Sequence, residues 1–179
     1  MSDPAGSAGW LLATPRLRLR PMQPGDLDAL LAIFGDPRVM AAFDEPPFDR
    51  AQMARWLQRN LDHQAAHGYG LFAVLLRPDG LLIGDCGLEI MEIAGTPTAE
   101  LGYDFRADYW HQGYATEAAI AVRDYAFADL GLARLVSLIR VGNEASRHVA
   151  ERVGMHLAQE IARYGRPYWV YALDRPAAP

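Results

Sequence analysis

The chain has 179 residues, of which 51% are hydrophobic and 22% are charged. This length and composition fit one compact globular domain and exclude a disordered chain. The formal net charge of −5 argues against nucleic acid as the main partner, because phosphate binding needs a basic face. There is no visible signal peptide and no run of about 20 apolar residues, and the single cysteine, Cys86, allows no intramolecular disulfide. We therefore expect a cytoplasmic protein without a membrane partner.

Hydrophobic periodicity predicts alternating strands and helices along the whole chain. The predicted elements of the first part are a strand over 16–20, helices over 26–34 and 49–68, and strands over 71–76, 81–91 and 99–105. Those of the second part are a helix over 113–129, a strand over 134–141, a helix over 146–152, and strands over 157–162 and 168–173. Asp49 is the expected N-cap of the second helix, and Gly68, Gly131 and Gly154 are expected helix ends.

This order of elements predicts a mixed α/β sheet with helices on both faces. Small residues form a stripe on the long helix, which lets that helix lie close to the sheet. We expect a single domain over residues 14–174, preceded by a flexible leader over 1–13 and followed by a flexible tail over 175–179.

One motif lies between the strand over 99–105 and the long helix, and it reads Tyr-Trp-His-Gln-Gly-Tyr-Ala-Thr-Glu over 109–117. The first turn of a helix leaves backbone N–H groups unpaired, and together with the helix dipole they attract an anion. Gly113 lets an anion approach the main chain, and the small Ala115 keeps the next turn open. The motif therefore fits a pyrophosphate, although similar helix starts also occur without an anion. It lacks the Gly-Lys-Ser/Thr ending of a P-loop, so nucleotide hydrolysis is not expected.

A second motif, Val-Gly-Asn-Glu-Ala-Ser over 141–146, ends a strand and opens the next helix. Asn143 is a natural N-cap, and Ser146 is equally compatible with a first-turn serine that has no chemical role.

In their order and spacing these segments resemble the GNAT superfamily of N-acetyltransferases over residues 14–174. The cofactor-binding half of that superfamily is similar to the motif over 109–117, followed by a helix, a strand, Asn-x-x-Ser and a short helix that ends in Val-Gly-Met. The start Thr-Pro-Arg-Leu-Arg-Leu-Arg over 14–20 and the strand Glu-Leu-Gly-Tyr over 100–103 most resemble the RimJ/RimL-type branch, which acetylates N-terminal α-amines of ribosomal proteins. The resemblance implies a mostly antiparallel sheet of about six or seven strands with a splayed central pair. It also implies acetyl-CoA as co-substrate, with no metal.

The resemblance also implies where coenzyme A binds, in the gap between the strands over 99–105 and 134–141. Its pantetheine arm is expected to pair with the backbone of Tyr103, Asp104 and Phe105, and Asn143 is expected to bind that arm or shape its channel. The residues expected at the pyrophosphate are His111, Gln112, Gly113, Tyr114, Ala115 and Thr116.

The catalytic expectations combine the resemblance with the chemistry of acetyl transfer. Many members carry a tyrosine seven residues after the asparagine as general acid, but that position is Ala150 here. In the RimJ/RimL-type branch the serine of Asn-x-x-Ser takes that role, so the resemblance implies that Ser146 protonates the leaving thiolate. Glu100, on the strand beside the cofactor, is the candidate general base, and its alternative reading is a solvated strand residue. A backbone N–H near Tyr103–Asp104 is expected to stabilise the oxyanion. We expect Cys86 to be a small buried hydrophobic residue rather than a nucleophile. Acetyl is therefore expected to pass directly from the thioester to the amine, without a covalent enzyme intermediate.

The sequence gives only weak evidence for the identity of the acceptor. The partner expected is an amine, possibly a protein N-terminus, and the enzyme itself is expected to be a monomer or a homodimer. The residues that the resemblance places near the acceptor are Asp44, Glu45, Trp56, Tyr164 and Tyr168, although all five also suit an ordinary surface. The histidines at 63, 67, 111 and 148 lack metal-ligand spacing, so no metal is predicted. Two alternatives stay open: an acetyltransferase for small-molecule amines such as aminoglycosides or polyamines, and a non-catalytic acyl-CoA sensor. Trp110, where the superfamily has Gln or Arg, fits the sensor.

Overall fold

A computed structural model describes residues 11–93, 95–163 and 165–177, which form one eight-stranded sheet with helices on both faces. The strands are β1 (Leu12–Ala13), β2 (Leu17–Pro21), β3 (Leu71–Leu76), β4 (Leu82–Ile93), β5 (Thr96–Phe105), β6 (Arg134–Arg140), β7 (His156–Arg163) and β8 (Arg166–Asp174). The helices are α1 (Leu27–Phe34), α2 (Pro37–Met40), α3 (Arg50–His67), α4 (Tyr114–Ala128) and α5 (Glu144–Val153), with 3₁₀ turns at Pro24–Asp26 and Ala107–Tyr109.

The strand order is β1-β2-β3-β4-β5-β6-β8-β7, and each neighbouring pair is antiparallel except β5 and β6. Those two strands run parallel, and their register consists of the single pair Glu100 and Val136. Towards their C-terminal ends they separate and leave a gap in the middle of the sheet. The predicted splayed central pair in a mostly antiparallel mixed sheet is therefore confirmed.

Two hydrophobic cores cover the two faces of the sheet. Helices α4 and α5 pack on one face, and the predicted small-residue stripe of α4 lies fully buried there at Ala118, Ala119, Val122 and Ala126. Helices α1, α2 and α3 pack on the other face through Ile33, Met53 and Leu57, among others. Small side chains let the backbone of α4 approach the strands closely, as the sequence predicts. None of the helices within the described residues combines the length and apolar composition of a membrane span.

Local capping signals placed most helix ends correctly. Asp49 accepts a hydrogen bond from the N–H of Gln52 at 2.7 Å, and the Gln52 side chain accepts one from the N–H of Asp49 at 2.8 Å. Gly68 and Gly154 end α3 and α5 with φ of +74° and +97°, a region that glycine enters without steric cost. Helix α4 ends at Ala128, and Gly131, at φ +65°, lies in the turn that follows.

The structure also contains elements that the sequence did not predict. The sheet has eight strands rather than six or seven, because Leu12 and Ala13, in the expected leader, pair with Leu19 and Arg18. A two-residue strand carries too little periodicity to be recognised. Between the first two predicted helices lies the four-residue α2, which has Asp36 as its N-cap. In the expected tail, the N–H of Arg175 donates to the carbonyl of Ala133 at 2.8 Å.

Candidate active site

Two cavities meet at the gap between β5 and β6. The carboxylate cavity, of about 530 Å³, lies on the α1–α3 side and is lined by Glu89, Glu100 and Asp104, among others. The helix-start cleft, of about 520 Å³, lies against the first turns of α4 and α5. The residues that line both are Ala42, Tyr103, Asp104, Asn143 and Ser146. A ligand that enters through one cavity can therefore reach a ligand in the other at the gap.

The helix-start cleft is built around the N-terminus of α4. Gly113 is the N-cap of this helix, with φ of +81°, and its carbonyl accepts the N–H of Glu117 at 3.0 Å. The N–H groups of Tyr114, Ala115 and Thr116 precede that bond and have no acceptor within the helix. The structure thus provides the unpaired first-turn donors that the motif predicts. Of the six residues predicted at this site, five line the cleft, and Gln112 does not.

Residues between β1 and β2 hold the Glu117 side chain, and the sequence did not predict this contact. Its carboxylate accepts the Thr14 hydroxyl at 2.5 Å, the Arg16 N–H at 3.0 Å and the Arg16 Nε at 2.6 Å. Burial alone raises the pKa of Glu117, but these hydrogen bonds outweigh it and hold the pKa below its usual range. The Arg16 guanidinium also donates to the carbonyl of Gln112 at 2.9 Å and lies 4.3 Å from the centroid of the Tyr114 ring. The cluster fixes the start of α4 against β2.

Trp110 replaces the Gln or Arg of the superfamily motif and anchors the loop before α4. Its indole N–H donates to the carbonyl of Phe105, the last residue of β5, at 2.9 Å. This bond fixes the path of the chain from β5 into the cleft.

The backbone of Tyr103 faces the gap. The carbonyl of Leu101 accepts the Ser137 hydroxyl from β6 at 2.7 Å, so the backbone groups of Leu101 point towards β6. Residues two apart on a strand direct their backbone groups to the same side, which places those of Tyr103 at the gap. The carbonyl of Asp104 points the other way, towards Gly84 on β4. Within the predicted pair Tyr103–Asp104, the backbone groups of Tyr103 therefore face the gap and the carbonyl of Asp104 faces β4.

Ser146 lies half-buried in the first turn of α5 and lines both cavities. Asn143 caps the helix, since its side-chain oxygen accepts the N–H of Ser146 at 3.2 Å. The Tyr103 hydroxyl donates to the carbonyl of Ser146 at 2.8 Å, and burial raises the pKa of Tyr103, so this donor keeps its proton. These two bonds position Ser146 beside the gap.

Glu100 lies half-buried in the carboxylate cavity rather than in solvent. One carboxylate oxygen accepts the N–H of Leu138, on the diverging β6, at 3.1 Å. Burial raises the pKa of Glu100 to about 7, although the Leu138 hydrogen bond opposes the shift. A carboxylate that titrates near neutral pH suits a general base, and this one also bridges the gap.

The remaining predicted residues are distributed around the carboxylate cavity. Glu45, Trp56 and Tyr168 line it. Asp44 forms ion pairs with Arg140 at 3.2 Å and Arg166 at 3.4 Å, and Tyr164 lies outside the described residues. Cys86 is fully buried in the core, and burial raises the pKa of its thiol. Over the residues that the structure describes, no group of three or more His, Cys, Asp or Glu side chains is placed to hold a metal.

Comparison with known proteins identifies the family. Residues 16–156 match the family model described as an acetyltransferase (GNAT) domain. The protein YkkB of Bacillus subtilis (strain 168) is 35% identical over 161 residues, which cover 89% of this chain and 93% of YkkB. The crystal structure of an acetyltransferase from Agrobacterium tumefaciens str. C58 superposes with a TM-score of 0.79 at 30% identity, covering 97% of this chain and 98% of that one.

The structure of RimL, a ribosomal L7/L12 α-N-protein acetyltransferase in complex with coenzyme A, shares the fold with a TM-score of 0.77 at 21% identity, over 92% of this chain and 97% of RimL. Ribosomal-protein acetyltransferases are therefore among the structural neighbours of this chain. The chain belongs to the GNAT family and is an N-acetyltransferase whose co-substrate is acetyl-CoA.

Proposed function

We propose that the enzyme transfers acetyl directly from acetyl-CoA to a primary amine, and that its preferred acceptor is the N-terminal α-amine of a protein. The observation that carries this proposal is the meeting of two cavities at the gap, with Tyr103 and Ser146 lining both. One cavity offers anion-binding N–H groups and the other offers carboxylates, so each suits a different substrate. RimL, whose name gives it an α-N-protein substrate, has the same fold.

The helix-start cleft suits coenzyme A. The unpaired N–H groups at the start of α4, within the segment 111–116, are the proposed donors to the pyrophosphate. The gap-facing backbone at Tyr103 and Phe105 is proposed to pair with the pantetheine arm. Since Trp110 already occupies the Phe105 carbonyl, the N–H of Phe105 and the carbonyl of Tyr103 are the proposed partners, which leaves the N–H of Tyr103 for the thioester oxygen. Asn143 is proposed to shape the channel, because its side-chain oxygen is engaged in capping α5.

Three groups of the enzyme each carry out one step of the proposed reaction. Glu100 takes a proton from the acceptor, directly or through a water, and the neutral nitrogen then forms a bond to the thioester carbon. The N–H of Tyr103 stabilises the oxyanion that develops. As the carbon–sulfur bond breaks, Ser146 donates its hydroxyl proton to the thiolate. The attacking nitrogen releases its second proton to solvent, and Ser146 recovers a proton from solvent. The products are an acetamide and the free thiol of coenzyme A.

An α-amine suits this base better than a lysine does. The pKa of an α-amine is about 8 and that of lysine about 10.4, so a base with a pKa of about 7 deprotonates the α-amine far more readily. We expect the transfer rate to rise with pH through about 7, as Glu100 loses its proton. A small-molecule amine is the second candidate, because the carboxylates of the cavity suit any cation.

The test is thiol release from acetyl-CoA with a panel of acceptors: peptides with a free N-terminus, Nα-blocked lysine peptides, a polyamine and an aminoglycoside. Binding of acetyl-CoA should raise the melting temperature, because the ligand binds only the folded state. Ser146→Ala should slow thiol release by at least about tenfold. Thr98→Ala, which removes a hydroxyl from the opposite end of β5, is the control. Turnover with polyamines but not with free N-termini would overturn the acceptor assignment.

A further inference from the structure

The face of β4 and β5 that borders the carboxylate cavity carries a mirrored pattern. Residues 85–89 read Asp-Cys-Gly-Leu-Glu, and residues 100–104 read Glu-Leu-Gly-Tyr-Asp. Because the strands are antiparallel, the register pairs acid with acid and glycine with glycine. The pairs are Asp85 with Asp104, Gly87 with Gly102, and Glu89 with Glu100. Like charges directly opposite each other on a sheet are destabilising, so both acid pairs need compensation.

The two acid pairs differ in what compensates them. Burial raises the pKa of Glu89 and of Glu100, but the charges of Arg59 and Arg163 oppose these shifts, and both arginines line the cavity. The charged groups that act on Asp85 are Asp104 and Glu89, which are themselves acids. Asp85 is fully buried, and over the described residues neither of its carboxylate oxygens has a hydrogen-bond partner. The aspartate pair therefore lacks the cation that the glutamate pair has.

The aspartate pair lies next to the gap, where the acceptor nitrogen must approach the thioester carbon. Residues directly opposite each other share one face of a sheet, so Asp85 lies on the same side as Asp104. Asp104 is half-buried and lines both cavities, beside Tyr103 and Ser146. A side chain at Gly102 would contact only the Leu71 methyl, at 3.6 Å, so the sheet between Glu100 and Asp104 carries no side chain that blocks access.

We propose that Asp104, backed by the buried Asp85 on the neighbouring strand, forms the subsite that receives the acceptor as its ammonium ion, in place of a proton that the aspartate pair otherwise holds. This inference rests on the proposed transfer to an amine. It names the form in which the acceptor enters: a primary ammonium group on an apolar stem. Aromatic rings of α1, α3 and the loop before α3 provide the apolar wall. The Phe34 ring stacks on Phe48 at 5.7 Å between centroids and lies against Trp56 at 4.8 Å.

The titration of the pair agrees with its geometry. Burial, with the charge of Glu89, raises the pKa of Asp104 to about 7, and burial, Asp104 and Glu89 raise the pKa of Asp85. Two close carboxylates in one site hold a proton between them up to neutral pH. The other charged groups that face this space are Glu100 from β5, Glu45 from the loop before α3, Arg59 from α3, Arg140 from β6 and Arg163 from β7. On the opposite side of the strands, burial raises the pKa of Cys86 and of Tyr103, so both stay neutral.

The proton balance follows from this exchange. An ammonium ion that binds at Asp104 neutralises one negative charge, and the shared proton leaves to solvent. The bound ammonium then loses its own proton to Glu100, and the nitrogen attacks the thioester. The acetamide product is neutral, so the aspartate pair recovers a proton from solvent. Loss of the ammonium charge therefore weakens product binding.

The experiment measures acceptor binding and turnover in the wild type, Asp85→Asn, Asp104→Asn and Glu92→Gln, which neutralises an exposed carboxylate on β4. Calorimetry of a free-N-terminus peptide binding to the coenzyme A complex, in buffers of different ionisation enthalpy, counts the protons released. The wild type should release up to about one proton per peptide between pH 6 and 7. Asp104→Asn should release far less, because the carboxyl group that exchanges its proton for the ammonium ion is then missing. Glu92→Gln should behave as the wild type.

Kinetics give the second readout. Asp104→Asn should raise the KM of the cationic peptide by about tenfold or more, with a smaller change in kcat. The KM of an arylamine, which is neutral at pH 7, should change little. Asn at position 85 or 104 keeps the size of Asp, and melting temperatures verify the fold of each variant. Intact acetyl transfer with unchanged proton release and unchanged KM in both variants would overturn this inference and leave the proposed function standing. A wild type that acetylates no amine would overturn the proposed function itself.

Discussion

At the scale of single residues, side chains complete the hydrogen bonding that the β5–β6 backbone cannot. The two strands diverge after Glu100 and Val136, so their remaining backbone groups lie too far apart to pair. The Ser137 hydroxyl satisfies the carbonyl of Leu101, and Glu100 satisfies the N–H of Leu138. The sequence indicated Glu100 for its chemistry but gave no signal for Ser137. A serine inside an apolar strand shows its role only when the neighbouring strand is known.

Two serine substitutions separate stability from catalysis. Ser137 is 2% exposed, and Ser137→Ala would leave the buried carbonyl of Leu101 without its donor. We expect it to lower the free energy of unfolding by about 1–2 kcal/mol. Ser146→Ala should change that free energy by less than about 0.5 kcal/mol while slowing thiol release. Urea unfolding of both variants, beside the thiol assay, measures the two effects. Equal stability loss in both would contradict this division.

At the scale of elements, the start of α4 is fixed by a segment about a hundred residues earlier in the chain. Glu117 collects hydrogen bonds from Thr14 and Arg16, which joins β1, β2 and α4 in one polar cluster. Pocket residues at the helix start, such as Gly113 and Thr116, depend on this anchoring for their position. The cluster therefore links the N-terminal Thr-Pro-Arg sequence to the proposed coenzyme A site.

The anchoring of Glu117 has a defined pH dependence. Its pKa is lowered in the folded state, so its contribution to stability is present above the unfolded pKa of about 4.3 and is lost as pH falls through the lower folded value. Glu117→Gln should cost up to about 1 kcal/mol at pH 7, since Arg16 is 45% exposed and its ion pair is screened. The deficit should shrink towards pH 3.5, measured by urea unfolding at both pH values.

The matched control for this prediction is Glu144→Gln. Glu144 pairs with Arg147 one turn along α5, where its side chain is 54% exposed. Such a surface pair within one helix contributes only a few tenths of a kcal/mol. A Glu117→Gln deficit no larger than that of the control, or one that persists at low pH, would show that the Thr14–Arg16–Glu117 cluster does not anchor α4.

The elements show where prediction from sequence succeeds and where it ends. Signals that act within a few residues, such as the Asp49 capping box and the glycine ends at 68 and 154, placed helices to within a residue or two. Features that depend on distant partners were missed: the strand at Leu12–Ala13 and the Glu117 cluster. The mirrored acid pattern is visible in the sequence, but it gains meaning only from the strand register.

At the scale of the whole molecule, several features that lower the stability of the sheet lie around the gap between β5 and β6. The parallel β5–β6 pair is interrupted, and two acid pairs oppose each other across β4 and β5. Asp85 is buried, and its carboxylate has no hydrogen-bond partner among the residues that the structure describes. Each feature is unfavourable for folding, and all of them adjoin the gap. The cores on the two faces supply the stability that tolerates this arrangement. Proteins commonly tolerate such strain at functional sites, where removing it stabilises the fold and impairs activity.

The acid pairs predict an unusual dependence of stability on pH. Burial raises the pKa of Asp104 and of Glu100 to about 7 and also raises the pKa of Asp85. The folded state then binds more protons than the unfolded state between about pH 4 and pH 7, where unfolded carboxyl groups are already ionised. The contribution of these groups is therefore fully present below about pH 4 and is lost as pH rises through about 7.

The wild type should accordingly have a lower free energy of unfolding at pH 8 than at pH 5.5, by at least about 1.4 kcal/mol, the equivalent of one pKa unit. Asp85→Asn removes one of the opposed charges and should unfold at higher urea concentration than the wild type at pH 8, with the advantage shrinking towards pH 5.5. Glu92→Gln, on the same strand but exposed, should follow the wild type at both pH values. Urea unfolding across this range measures all three proteins. An Asp85→Asn variant that is less stable than the wild type at pH 8 would mean that Asp85 holds a partner in the folded protein, and the ammonium subsite would lose its unpaired carboxylate.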